Sequence, residues 1–211
     1  MLRKEFLSGL TALLLLSASF CNAGTKTVYI DIVGEGKFEV IYHRALSNAT
    51  GAVIAGIIGA GIQSGIEHGK DTEKEKELGP LISKDTWKTQ FLDTLNAKLE
   101  SKGFEAVWVE NTKDINEGIV LHVYPGQYGF RMVNTTTRLV SAYTAFQASF
   151  ANGGANKGTR QDKEKFYITN KNQHTYESLL TEDSPANSEL EAVLNKAAKR
   201  LANKIIYSME E

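Results

Sequence analysis

Two segments of the chain carry apolar residues at helical spacing. The segment SKDTWKTQFLDTLNAKLESKG predicts a helix with Ser83 as its N-cap and Gly103 just past its end. Its apolar stripe recurs about every four residues and comprises Trp87, Phe91, Leu92, Leu95 and Leu99. We therefore expect an amphipathic helix that packs one face against a core.

The end of the chain predicts a second amphipathic helix. Ser188 and Glu191 have the spacing of a capping box, in which two side chains bond the first N–H groups of the helix. The predicted buried face comprises Leu190, Leu194, Ala197, Ala198, Leu201 and Ile205.

Alternating segments predict strands. TVYIDIVG and FEVIYH flank the turn-forming residues 34–37, which predicts a β-hairpin. The charge-dense segment EHGKDTEKEKELGP predicts a solvated connector or a frayed helix end. Further strands are predicted in FEAVWVE, GIVLHVYPG, YGFRMV, RLVSAYTAFQASF, FYIT and HTYESLL.

The order of these elements predicts the fold class. Several strands run consecutively between the two amphipathic helices, without repeated βαβ units. We expect an α+β two-layer domain over residues 24–211, with an antiparallel or mixed sheet and both helices on one face. A glycine-rich hydrophobic helix or hairpin is expected in addition, within segment 49–66.

Segment 49–66 alternates small and bulky residues at helical spacing. It lies within 22 uncharged residues between Arg44 and Glu67, a helical length of about 33 Å. Small residues four apart let two helix backbones approach closely, as in helix pairing within lipid. The predicted membrane or self-association residues are Gly51, Ala52, Ala55, Gly56, Gly59, Ala60, Gly61 and Gly65.

Two other interpretations of segment 49–66 stay open. The segment could be a hairpin or helix buried in the core of its own domain, because glycine and β-branched residues make it a poor helix in water. Residues 59–64 also resemble a nucleotide-binding glycine loop. The βαβ unit and the downstream acidic residue of such a site are absent from the sequence.

The N-terminus has the pattern of an export signal. Basic residues precede the apolar run LTALLLL, and small residues precede a cleavage position after Ala23, so residues 1–23 are the predicted signal peptide. Cys21 is a candidate for lipidation instead, if the residues before it act as a lipobox. Both routes predict an exported protein.

Composition limits the candidate chemistry. A formal net charge of -1 gives no strongly basic field, so we expect no nucleic-acid partner. The four histidines show no metal-ligand spacing, and we interpret His122 as a sheet residue with a satisfied ring. The sequence predicts no catalytic residues, no metal and no cofactor. Six aromatic residues recur at the periodicities of buried positions, so we expect them in the core: Trp87, Phe91, Trp108, Phe146, Phe150 and Tyr167.

The export signal, the glycine-rich stretch, the unit LNAKLESKGFEAVWV, the strand GIVLHVYP and the final helix together resemble a known layout. The chain is similar to small envelope proteins of Gram-negative bacteria with a glycine-zipper segment, in particular TraT-type surface-exclusion lipoproteins. The glycine stretch here precedes the first main helix, whereas in TraT-type proteins it follows the corresponding strand. The resemblance implies an envelope location and a tendency to assemble.

These patterns support two functional hypotheses from different classes. The first is an exported, non-enzymatic envelope protein, in the periplasm or at the outer membrane. It self-associates and contacts membrane through segment 49–66, with an envelope protein as a possible partner. The alternative is a soluble periplasmic binding or inhibitor module with that segment buried in its own core.

Overall fold

The computed structural model describes residues 26–42, 65–83, 86–110, 112, 115, 117–134, 136–152 and 163–210. Three α-helices are formed within these ranges: α1 (Gly65–Leu78), α2 (Thr86–Glu100) and α3 (Ala186–Glu210). The strands are β1 (Lys26–Ile32), β2 (Lys37–Ile41), β3 (Phe104–Trp108), β4 (Ile119–Asn134), β5 (Leu139–Asn152), β6 (Glu164–Thr169) and β7 (His174–Thr175).

The seven strands form one mixed sheet around the long strands β4 and β5. The order is β3-β1-β4-β5-β6, with β2 also paired to β4 and β7 also paired to β5. Strands β4 and β5 are antiparallel, whereas the pairings of β1 with β3 and of β1 and β2 with β4 are parallel. The described sheet and helices form two layers, which confirms the predicted α+β class.

The predicted hairpin of β1 and β2 is wrong. Both strands run parallel to β4 and follow one another along it, so that Ile32 pairs with Val123 and Lys37 with Gln127. Between them Gly34 takes a positive φ of 92°, which glycine adopts without strain. The glycine-rich connection therefore leads the chain from its pairing with residues 119–123 of β4 to its pairing with residues 127–131, without reversing its direction.

Strand β4 contains a β-bulge between the segment that pairs with β1 and the segment that pairs with β2. The pairing of β4 with β5 shifts register between Pro125 and Tyr128. Gly126 lies inside the shift, and a Cβ there would meet the carbonyl oxygen of Ala145 at 2.6 Å. The bulge thus brings the two backbones closer than a side chain allows, and it separates the half of β4 that pairs with β1 from the half that pairs with β2.

Helices α2 and α3 pack on one face of the sheet and form the main core with it. Phe146 of β5 is fully buried between Phe91 of α2, with ring centroids 5.3 Å apart, and Phe166 of β6, at 4.7 Å. Leu92, Leu95 and Leu99 of the predicted stripe are buried with Phe91, and so are all six predicted residues of α3. The side chain of Trp87 lies outside the described residues.

The charge-dense segment forms a complete helix, α1, rather than a connector. Leu78 is fully buried, and Glu75 Oε1 accepts a 3.3 Å hydrogen bond from the backbone N–H of Val40 on β2. Tyr176 donates to the backbone oxygen of Lys74 at 2.8 Å. These tertiary contacts order a helix whose own sequence has no apolar stripe.

The predicted end of α2 is confirmed, whereas its predicted cap lies next to residues outside the described ranges. Helix α2 is described from Thr86, residues 84 and 85 are not described, and the cap at Ser83 therefore stays a prediction. The backbone N–H of Ser83 donates to Asn187 Oδ1. Gly103 ends α2 with a φ of 78°, as expected for a glycine after a helix.

The predicted capping box of α3 is wrong, because the helix begins at Ala186, before Ser188. The hydroxyl of Ser184 accepts the N–H of Ala186, and Pro185 fixes the backbone at the helix start. Ser188 lies inside the first turn and donates to the Pro185 carbonyl.

Other differences concern single segments. Only His174 and Thr175 of the predicted strand HTYESLL are extended, and residues 177–180 form a 3₁₀ turn. Trp108 is 39% exposed near the end of the edge strand β3, and so is not a core residue.

Candidate functional site

The face of the sheet opposite α2 and α3 carries polar and aromatic side chains, and we call it the polar face. Four buried apolar residues lie outside the main core cluster: Ile41, Val120, Tyr143 and Ala145. Alternation along the strands places all four on this face. The same alternation adds the polar residues Asp31, Glu39, His122, Gln127, Arg131 and Tyr167.

A buried acid and a buried phenol meet across β4. Tyr143 is the β5 partner of Gly129, and Glu39 is its β2 partner. The Tyr143 hydroxyl donates to Glu39 Oε2 at 3.2 Å, so the phenol spans β4 above the glycine. Burial and the Glu39 charge raise the pKa of Tyr143 well above its ordinary value, which keeps the hydroxyl protonated.

Gly129 makes this crossing possible. Its φ is 148°, and a Cβ at this position would lie 2.0 Å from the carbonyl oxygen of Glu39. The close approach of β2 and β4 therefore requires glycine at this position. The space above it is available to the ring of Tyr143.

Arg131 lies next to this pair and is 7% exposed. Its guanidinium carbon is 5.3 Å from the ring centroid of Tyr167 on β6, a cation–π arrangement. None of the ion pairs found among the described residues involves Arg131. Burial raises the pKa of Tyr167 to about 12, against the opposing effect of the Arg131 charge, so the phenol stays a neutral donor.

Unpartnered polar atoms concentrate on the polar face. Among the described side chains, four buried nitrogen or oxygen atoms have no hydrogen-bond partner. Three are on this face: Arg131 Nε, Tyr167 Oη and Gln127 Oε1, whereas Asn96 Oδ1 is on α2. Because such atoms are costly to bury, their concentration marks this part of the sheet as the candidate site.

A second polar group lies on the half of the polar face that β1 forms. His122 Nδ1 is 2.9 Å from Asp31 Oδ2, its partner across β1 and β4. As expected, His122 is a sheet residue whose ring has a partner. Lys163 Nζ is 3.5 Å from the ring centroid of Tyr124. Here the charged groups are paired or stacked and partly exposed.

Buried charge elsewhere in the described structure is fully bonded. Glu189, at the start of α3, is 8% exposed and accepts from Asn170, from Asn172 at 2.8 Å and from His174 at 3.1 Å. Glu189 illustrates the usual treatment of a buried charge, and Arg131 departs from it.

The residues predicted for membrane contact or self-association lie elsewhere in the chain. Gly65 is the first residue of α1. Outside the described residues are Cys21, Gly51, Ala52, Ala55, Gly56, Gly59, Ala60 and Gly61, together with residues 1–23. None of the described helices is long and apolar enough to cross a membrane. No group of three metal-binding side chains converges within the described part of the chain.

The polar face is not among the sites that the sequence predicts. The sequence places Tyr167 in the core and does not single out Glu39, Gln127, Arg131 or Tyr143 as site residues. The available signal was the alternation of FEVIYH and YGFRMV, which places Glu39 and Arg131 opposite the apolar positions. The pairing partners that bring these residues together could not be obtained from that alternation.

Comparison with solved structures gives distant likenesses. No family model matches the chain, and no curated protein matches it. The chain is similar to a 2.35 Å crystal structure of a minor lipoprotein from Acinetobacter baumannii, at 10% sequence identity and a TM-score of 0.46. The match covers 87% of this chain and 92% of that chain. A likeness this distant transfers neither a function nor a cellular location.

Proposed function

We propose that this is an exported, non-enzymatic envelope protein that self-associates and contacts membrane through segment 49–66. The export pattern of residues 1–23 and the small-residue spacing of the segment support this proposal. The observation that carries it is the way the described domain holds the two ends of residues 43–64.

Helix α1 runs antiparallel to β2 along its outer edge. Glu75 bonds the backbone of Val40, and Gly79 lies beside Phe38. The ammonium of Lys74 is 5.6 Å from the ring centroid of Tyr42. The start of α1 therefore lies about 15 Å beyond Val40, at ten residues of helical rise, on the side where β2 ends.

The described residues on either side of residues 43–64 therefore lie at the same end of β2. A segment inserted in this way can engage lipid or a second copy without interrupting the sheet or the main core. Its small-residue stripe suits close helix pairing, and its aliphatic residues suit an apolar environment. The same arrangement is compatible with partners in the periplasm or at the outer membrane.

Membrane fractionation of the exported protein tests this function, with its size measured with and without detergent. We expect the wild type to sediment with membranes and to be an oligomer in detergent. Gly56→Leu places a bulky side chain in the small-residue stripe, so that two helices can no longer approach closely, and it should dissociate the oligomer. Val53→Leu is the matched control, because it keeps a bulky side chain on the aliphatic side and should leave the oligomer intact.

Recovery of the wild type as a soluble periplasmic monomer would contradict the proposal. Equal dissociation in Gly56→Leu and Val53→Leu would also contradict it, since the effect would then not depend on the small stripe.

The unpartnered polar atoms on the polar face favour a second candidate, a soluble binding module. In this case the protein is a monomer without detergent, and segment 49–66 packs in its own core. Gly56→Leu then lowers the free energy of unfolding instead of changing the oligomeric state, and urea denaturation of the monomer separates the two outcomes.

A further inference from the structure

We propose that the polar face holds a binding site for a singly charged carboxylate, centred on Arg131 with Tyr167 as a second donor. The inference does not depend on export or on membrane contact, so fractionation and the test below can fail independently.

The surroundings of Arg131 favour an anionic ligand. An arginine guanidinium is charged at all physiological pH values, and burying it without hydrogen bonds is costly. The side chain is held over the Tyr167 ring, and its Nε has no hydrogen-bond partner among the described residues. A carboxylate that bonds the guanidinium edge in a fork would satisfy this nitrogen and compensate the charge.

Other unpartnered polar atoms lie on the same face of the sheet as Arg131. Tyr167 Oη is also buried without a partner in the described structure, and as a neutral phenol it can donate to the same anion. Gln127 is on the same face of β4 as Arg131, and its Oε1 is buried without a partner, so an amide flip would place an NH₂ donor at this position. Ala145, the β5 partner of Tyr167, leaves this part of β5 without a large side chain, whereas the Tyr143 ring lies above Gly129.

The charge of Glu39 limits the charge that the ligand can carry. Glu39 is on the same face, 7% exposed, and its carboxylate is bonded to Tyr143. The negative charge of Glu39 disfavours a doubly charged ligand such as phosphate more strongly than it disfavours a singly charged carboxylate. The planar fork of arginine also matches a planar carboxylate.

Titration of the full-length protein with acetate, followed by the NMR signal of the Arg131 Nε–H group, tests the proposal. We expect a saturable shift in acetate at about millimolar concentration, and a weaker response to inorganic phosphate at equal ionic strength. Arg131→Met should abolish the acetate-dependent rise of the thermal midpoint, and Tyr167→Phe should weaken binding about tenfold through loss of one hydrogen bond to a charged group. A short peptide with a free or an amidated C-terminus then tells whether a chain end can supply the carboxylate.

The control is Lys165→Gln on the polar face of β6, where an exposed charge is removed without touching Arg131. It should bind acetate as the wild type does. If Lys165→Gln loses as much acetate binding as Arg131→Met, the binding is general electrostatic attraction and the proposal is overturned. It is also overturned if acetate leaves the Arg131 signal unchanged, or if phosphate shifts it more strongly than acetate. The thermal midpoint of ligand-free Arg131→Met should lie at or above that of the wild type, and a lower midpoint would assign Arg131 a structural role instead.

Discussion

Alternation along the strands gives the sheet two faces, and these bury different kinds of side chain. The helix-covered face buries aromatic and aliphatic side chains, with Phe146 between rings from α2 and β6. The polar face buries Glu39, Arg131 and Tyr143, and it holds most of the unpartnered polar atoms of the described structure. Packing of the first kind supplies stability, whereas a buried charge with an unsatisfied hydrogen-bond donor reduces it. The comparison shows that one face is packed as a hydrophobic core, whereas the other holds most of the unsatisfied polar atoms of the described residues.

Phe146→Ala, on the helix-covered face, should have the largest effect. Removing a fully buried ring leaves a cavity under α2, and we expect a loss of about 3–5 kcal/mol in the free energy of unfolding. Urea denaturation measures the loss. Tyr207→Ala, at a 68% exposed position, is the control and should change stability by less than about 0.5 kcal/mol. A small effect of Phe146→Ala would mean that the main core lies elsewhere.

Gly129→Ala tests the close approach of β2 and β4 beneath the polar face. The new Cβ would clash with the Glu39 carbonyl and strain a positive φ, so we expect a loss of about 3 kcal/mol. Gly34→Ala is the matched control, because its φ of 92° is also positive but no atom lies within 4 Å of an added Cβ. It should lose about 1 kcal/mol, from backbone strain alone. Equal losses in the two variants would argue against the steric explanation.

The tyrosines of the polar face predict a specific loss of stability at high pH. The pKa of Tyr167 is raised to about 12 from an ordinary value of 10.0, so the unfolded chain releases this proton first as pH rises. The contribution of Tyr167 is complete below pH 10 and disappears between pH 10 and 12, a loss of about 2 kcal/mol. Urea denaturation across this range should give a shallower decline for Tyr167→Phe. Tyr207→Phe should follow the wild type, and equal slopes in all three proteins would contradict the prediction.

Asp31→Asn should have the smallest effect. The pair that Asp31 forms with His122 is partly exposed, and such pairs contribute less than about 1 kcal/mol. We expect a loss of about 0.5 kcal/mol in the free energy of unfolding, measured by urea denaturation. A loss above about 2 kcal/mol would mean that this end of the polar face contributes to stability as the helix-covered face does.

Local patterns predicted the helix-covered face well. The four-residue recurrence of Phe91, Leu95 and Leu99 identified α2, and the apolar face of α3 was predicted residue by residue. Gly103 predicted the end of α2, because a glycine just after an apolar helical stripe commonly ends the helix. These features depend on neighbours within a few residues, and so a single sequence contains them.

The features that the sequence did not predict depend on distant partners. The glycines between β1 and β2 suit a hairpin and an in-line offset equally, and only the pairing of both strands with β4 decides. Helix α1 is stabilised by Val40 and Tyr176, which are remote in sequence from Glu75 and Lys74. The meeting of Arg131 with Tyr167 likewise requires the order of three strands, β4, β5 and β6.

The free energy of unfolding of Arg131→Met, measured by urea denaturation without added ligand, tests the difference between the two faces most directly. If Arg131 is kept for binding, an apolar side chain of similar length should raise the stability by about 1 kcal/mol. A loss of 2 kcal/mol or more, about the cost of truncating a core residue, would show that the polar face stabilises the fold as the helix-covered face does.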